Sequence, residues 1–181
     1  MKIIVGITGA SGANLGVKLA NLLPNLSHET SVILSDTAKI SLEKEGFEPK
    51  FNPAIKIYAN DEIYAPMASG SAKFDKMIVA PCSINSLAKI SCGIAESLIL
   101  RACAVMLKEK RELILGVRET PFSTISLMQM AELSKLGVII APPVYGAYSG
   151  AKSIDELENF IIGKWLDLLG VEHEIYKRWS K

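Results

Sequence analysis

Short apolar runs separated by longer helical patterns order this chain from end to end. Lys2–Ile7, Ser31–Leu34, Lys76–Ala80, Glu112–Val117 and Val138–Ala141 each give way to a turn-forming or polar residue, and a weaker run covers Ile55–Tyr58. Between them, apolar spacing predicts a helix over Asn14–Leu23 that stops near Pro24, and a second over Thr37–Glu45 ended by Gly46. Ser83–Cys92 and Ala95–Lys110 read as one helix broken at Gly93. Phe122–Leu136 is closed by Gly137, and Ser153–Leu169 opens on the capping box Ser153-Ile154-Asp155-Glu156 and is followed by Gly170. Continuous apolar strands alternating with helices predict an α/β fold, a parallel sheet with helices on both faces, as a single domain over 1–181. Ala59–Phe74, with Met67-Ala68-Ser69-Gly70-Ser71 inside it, has little pattern and reads as a long loop of the kind that often carries function.

In an open parallel sheet, ligands sit outside the carboxyl ends of the strands. Gly9, Ala10, Ser11, Ser35, Ser83 and Arg118 all fall at those ends and are predicted to converge on one crevice. The first turn, GITGASGANLG from Gly6 to Gly16, is of the phosphate-binding type. A dinucleotide fingerprint would want its last glycine one residue before Gly16 and an acidic residue closing the second strand, where Ser35 precedes Asp36. A YxxxK reductase pair is absent. NAD is therefore an open but poorly supported reading, and a mononucleotide fits the small hydroxyls at least as well. Ser83-Ile84-Asn85-Ser86 reads as a helix start whose N–H groups and hydroxyls could hold an anion, or as simple capping by Ser83. Arg118 favours a charged site, because an unpaired arginine inside a compact domain would be costly. Arg101 and Lys108, seven residues apart, share a helix face, either as a solvated basic end or as part of a second anion pocket.

Composition narrows the classes. Apolar residues make up 49% of 181 residues, yet no run approaches the eighteen or so of a membrane span, so the surplus is assigned to a buried sheet and subunit interfaces. The lysine and apolar residues at the N-terminus read as a first strand, not a leader. A net charge of +1 gives no general case for nucleic acid or an anionic membrane. Cys82, Cys92 and Cys103 fit a reducing, cytoplasmic setting, and Cys82, with no histidine at a suggestive position, reads as a small buried thiol. Two distant histidines and no CxxC or HxxxH leave no visible metal-ligand set.

The segments PCSINSLAKISCG and LILRACAVMLKEKRELILGVRETPFS, together with Tyr148 and Gly163-Lys164, resemble the flavin prenyltransferase (UbiX) family, formerly described as aromatic-acid decarboxylases. The resemblance runs from GITGASG to Arg178-Trp179, and the R-A-x-x-V-x-L-K-E and V-R-E-T-P runs carry most of its specificity. It implies a Rossmann-like, flavodoxin-like flavoprotein that forms large homo-oligomers, often dodecamers. It also implies a metal-independent transfer of a dimethylallyl group from dimethylallyl monophosphate to N5 and C6 of reduced FMN. The product, prenyl-FMN, would serve a partner decarboxylase of the UbiD type. By position, the resemblance assigns FMN contacts to Gly9, Ala10, Ser11, Ser35, Ser83, Ile84, Asn85, Ser86 and Arg118. It assigns the prenyl phosphate to Arg101, Lys108, Tyr148 and Lys164, some supplied by neighbouring subunits. Proton handling falls to Ser11, Glu45 and Glu119, Lys108 joins the catalytic set, and Trp179 lies near the donor. Lys164 stands where relatives usually carry arginine, and Ala72 where an aromatic often stacks. The second reading is an FMN-dependent decarboxylase of cysteine-type substrates, which shares the flavin site but lacks the Arg101, Lys108 and Arg118 set. A flavin carrier and an NAD-dependent reductase rank below it.

Overall fold

A computed structural model describes residues 1–179. Six strands, β1 (Lys2–Ile7), β2 (Glu29–Leu34), β3 (Lys56–Ala59), β4 (Lys76–Cys82), β5 (Glu112–Val117) and β6 (Ile139–Ile140), pair in parallel in the order β3-β2-β1-β4-β5-β6. That is the Rossmann order; without the four-residue edge strand β3 it becomes the flavodoxin order, and both place the switch point between β1 and β4.

Six helices cover the two faces: α1 (Ala13–Asn25), α2 (Asp36–Lys44), α3 (Ile84–Ser91), α4 (Leu98–Lys108), α5 (Thr124–Lys135) and α6 (Ile154–Leu168). Strand side chains alternate, so Ile3, Val5, Ile7, Ile78 and Ile114 meet α1 and α6, while Ile4, Met77, Val79 and Leu115 meet α3, α4 and α5. Trp165 of α6, 1% exposed, fills the first core and donates its indole N–H to Ala141 O at 2.9 Å. Removing that side chain is expected to cost roughly 3–5 kcal/mol.

Several boundaries depart from the sequence expectations. β2 begins at Glu29 and β4 runs on to Cys82, whereas the expected strand Val138–Ala141 shrinks to two residues at the sheet edge. The expected broken helix is two helices joined by residues 92–97, because Gly93 adopts a left-handed φ of 71° that no helix continues. Pro24 lies inside α1, one residue from its end. The patternless loop contains two short 3-10 turns, Pro66–Ala68 and Gly70–Ala72.

Candidate functional site

The crevice at the switch point is built by Thr8. Its hydroxyl donates to Pro81 O at 2.8 Å and accepts the Ser83 N–H at 2.8 Å, tying the end of β1 to the end of β4. A register shift between Val79 and Cys82 against β5 turns the Pro81 carbonyl toward Thr8 and aims Ser83 into the crevice. Sequence reasoning passed over Thr8 as part of the turn; the signal was a hydroxyl directly after a buried strand. Ser35 closes β2 beside it, its N–H bonded to Ile7 O at 3.1 Å.

The glycine-rich turn does not present a free anion hole. Gly12, at φ +84°, caps α1, and its N–H donates to both carboxylate oxygens of Glu45, at 3.1 and 3.3 Å. A carboxylate thus already satisfies the donor that a dinucleotide phosphate would use. Asp36, the acidic residue wanted by a ribose, is paired instead with Lys39 at 2.9 Å. Gly16, one residue late for the dinucleotide spacing, serves helix–strand approach: a Cβ there would stand 2.1 Å from Ala80 O.

The second anion-binding candidate is the start of α3. Ser83 caps it, accepting the Ser86 N–H at 3.2 Å, and its hydroxyl lies 3.0 Å from that of Ser86. Capping and anion binding coexist, because the cap leaves the N–H groups of Ile84 and Asn85 in the first turn facing outward over the crevice. Cys82 just before it is buried, and burial pushes its thiol up to about 12, so it stays protonated and structural. Arg118 follows β5, its N–H on Cys82 O at 3.0 Å, with Glu119 next to it. Its side chain is exposed, so the sequence argument from a buried, unpaired arginine does not hold; an exposed guanidinium pays no such cost and is free to meet an anion.

The remaining predicted residues lie on α4, on the loop after β6, on α6 and on the segment beyond it. Leu98 and Ile99 of α4 donate to the backbone and side-chain oxygens of Asn60, just past the carboxyl end of β3, at 2.8 and 2.9 Å. From there α4 descends past an exposed Arg101 to Lys108, four residues before β5 begins. Lys108 is therefore at the amino ends of the strands, roughly 17 Å of strand from Arg118. There it pairs with Glu109, whose carboxyl it holds below the ordinary range, and Glu109 in turn lies against the Gly70 turn.

Tyr148 and Lys164 line a third feature, a mostly apolar groove of about 450 Å³ between β6, residues 141–148 and α6. Trp179 closes on Tyr148 edge to face, centroids 5.5 Å apart, and Tyr148 meets Phe160 in the same way at 5.6 Å. The chain after α6 is held down through Asp167. Asp167 accepts from Tyr176 Oη at 2.6 Å, Arg178 Nη2 at 2.8 Å and the buried His173 Nε2 at 3.2 Å. Burial opposes the charge on Asp167, but hydrogen bonds from Arg178 and Tyr176 outweigh it and hold its carboxyl below the usual 3.8. Because the folded value is depressed, the tie is intact above the unfolded value and is lost as pH falls through the folded one. The near-ultraviolet circular dichroism of the Tyr148–Trp179 contact should thus stay constant from pH 7 to about 5 and fade only below 3.8.

Among the described residues, no group of three or more His, Cys, Asp or Glu gathers as a metal site, and no helix is long and apolar enough to cross a membrane.

The family described as Flavoprotein matches residues 1–166. A flavin prenyltransferase UbiX of Campylobacter jejuni is 47% identical over 186 residues, covering 99% of each chain. Among solved structures, the dodecameric FMN-dependent UbiX-like decarboxylase of Escherichia coli O157:H7 superposes with a TM-score of 0.94 at 38% identity, covering both chains fully. AnUbiX in complex with FMN and dimethylallyl pyrophosphate gives 0.92 at 38% identity over 99% of this chain and 97% of that one. A cysteine decarboxylase of thioviridamide biosynthesis, at 19% identity and TM-score 0.65, shares the fold alone.

Proposed function

We infer, from the premise that this chain belongs to the Flavoprotein family and, within it, to the flavin prenyltransferases, that it joins a dimethylallyl group from dimethylallyl monophosphate to N5 and C6 of reduced FMN. The prenyl-FMN so made serves a UbiD-type decarboxylase, and the enzyme works in the cytoplasm as a homo-oligomer, a dodecamer as in the Escherichia coli structure.

The observation that carries this reading is the division of labour between two helix starts at the β1/β4 switch point. Glu45 takes the Gly12 N–H at the start of α1, Ser35 caps α2 at the end of β2, and Ser83 and Ser86 bring hydroxyls to the start of α3. A single phosphate would sit at the start of α3, which fits FMN. Gly9, Ala10, the exposed Ser11 and Arg118 would hold the flavin, with Glu45 and Glu119 as the nearby carboxylates.

When bound, reduced FMN supplies the nucleophilic N5 and C6. The rest falls to the protein. Arg101, Lys108, Lys164 and the Tyr148 hydroxyl bind the departing phosphate, and preorganised cations stabilise the charge that develops on it. Tyr148 and Trp179 shield the allylic group from water and favour positive charge on their faces. Ser11, Glu45 and Glu119 receive and pass on the protons released. Lys164 supplies a point charge where an arginine would supply a fork, so it orients the phosphate less strictly. Since Lys108 stands at the far rim from its own crevice, it serves the donor pocket of a neighbouring copy.

Incubation with dithionite-reduced FMN and dimethylallyl monophosphate, with the pyrophosphate in parallel, tests the reading. Prenylated flavin by mass and absorbance is expected. Bound FMN that stays unmodified with both donors would refute it.

A further inference from the structure

We propose that Asp167 is a positioning residue for the prenyl-donor pocket: its carboxylate ties residues 173–178 onto α6 and so sets Trp179 against Tyr148. The inference rests on the functional reading above, and it concerns a side chain that touches neither flavin nor donor.

The geometry is specific. Trp179 is 80% exposed, and its recorded aromatic partner is Tyr148. An exposed ring near the end of the chain stays in one place only if the backbone before it is fixed. One carboxylate takes three of the tail's hydrogen bonds: Oδ2 takes the Tyr176 hydroxyl at 2.6 Å, and Oδ1 takes Arg178 Nη2 at 2.8 Å and His173 Nε2 at 3.2 Å. His173 Nε2 also meets Gly163 O at 2.9 Å, one residue before Lys164. Tyr176 then packs edge-on to Phe160 at 5.3 Å, Phe160 to Tyr148 at 5.6 Å, and Arg178 lies 5.4 Å from the Tyr176 ring centre. Lys164 Nζ stands 3.8 Å from the same Oδ2. One charge therefore sets both the aromatic wall and the cation of the groove, and with its tail donors in place it neither sheds nor fully captures Lys164.

The contact between Asp167 and Lys164 also has a direction. With Tyr176 and Arg178 already on the carboxylate, Lys164 is held near it but not closed upon it, and its ammonium remains available to a phosphate. Losing the tail donors would leave the carboxylate free to draw Lys164 in, so the wall and the cation would fail together.

The test uses the assembled, FMN-loaded enzyme. Asp167→Ala should raise the KM for dimethylallyl monophosphate roughly tenfold with little change in FMN affinity, the size of one lost aromatic contact. Amide exchange in the peptide covering 171–179 should lose its protection. In combination with Trp179→Ala, the two effects should fall short of additive, because both remove the same wall. Tyr176→Phe keeps the ring stack, removes one hydrogen bond and should give a smaller rise, which keeps the test alive if Asp167→Ala assembles poorly. Additive KM effects, or an unchanged donor KM with the tail released, overturn the positioning role. Unaltered amide protection in both variants overturns the tie itself. A wild-type enzyme that makes no prenylated flavin overturns instead the functional reading on which the donor pocket depends.

Discussion

Lys108→Ala should leave FMN binding within about twofold of wild type while prenyl transfer falls on the order of 10²- to 10³-fold, the range for losing one preorganised charge at a developing anion. The separation follows from placement. Lys108 ends α4 at the amino ends of the strands, whereas the crevice proposed to hold FMN opens at their carboxyl ends. In the free chain Lys108 is paired with Glu109 at the surface, so its removal disturbs no buried contact and the fold should be intact. Loss of FMN binding would put the lysine in the flavin's own pocket and contradict the placement.

The same geometry predicts complementation. If Lys108 of one copy and Arg118 of another complete one active site, then Lys108→Ala and Arg118→Ala are each impaired alone but active together. Co-expressed in equal amounts and assembled at random, about a quarter of sites would contain both Lys108 and Arg118. Activity near that fraction is the expected result. Were both residues from one chain, every site in the mixture would carry a defect and no activity would return.

The strand ends could be read in the sequence because buried parallel strands are continuous apolar runs, and whatever ends them must face the crevice. Ser35, Ser83 and Arg118 each follow such a run, and the sheet places all three at the carboxyl ends of its strands. Three things were not legible, each for a physical reason. The pairing of Glu45 with Gly12 links residues 33 apart through a side chain, and nothing local in either segment announces it. Arg118 reads as costly only if buried, and exposure is a property of the packed surface that apolar periodicity does not encode. The separation of Lys108 from the crevice depends on the direction in which α4 runs, which is fixed by Asn60 holding its start, not by the spacing of Arg101 and Lys108. Family resemblance supplied the roles of Tyr148, Lys164 and Trp179. The contacts that bring them to one groove run through Asp167 and Phe160, which no motif singles out.

Gly16→Ala should be the most damaging small substitution in the chain. In most helices this change would add up to about 1 kcal/mol of stability, since alanine is the better helix former. Here the added methyl would stand 2.1 Å from Ala80 O and 3.0 Å from Ile7 Cγ1. The first partner is backbone and cannot turn aside as a side chain would, so α1 must lift from β4 by about 1 Å or more to restore van der Waals distance. That opens the core formed with Ile7, Ile78 and Ala80 and outweighs the propensity gain, for a net loss of about 2–4 kcal/mol. It also moves the turn that α1 carries, Gly9 to Gly12, away from Ser83, so FMN retention should fall even in protein that still assembles. Gly46→Ala separates this from backbone strain: its φ is +68° and nothing lies within 4 Å of the new methyl. It should cost only the roughly 1–2 kcal/mol of a left-handed alanine and leave FMN bound. Denaturation midpoints and flavin content of the two variants measured side by side decide the matter. An unchanged midpoint for Gly16→Ala would mean that α1 does not seat on β4 at this distance, and with it the account of why the glycine comes one residue late would fail.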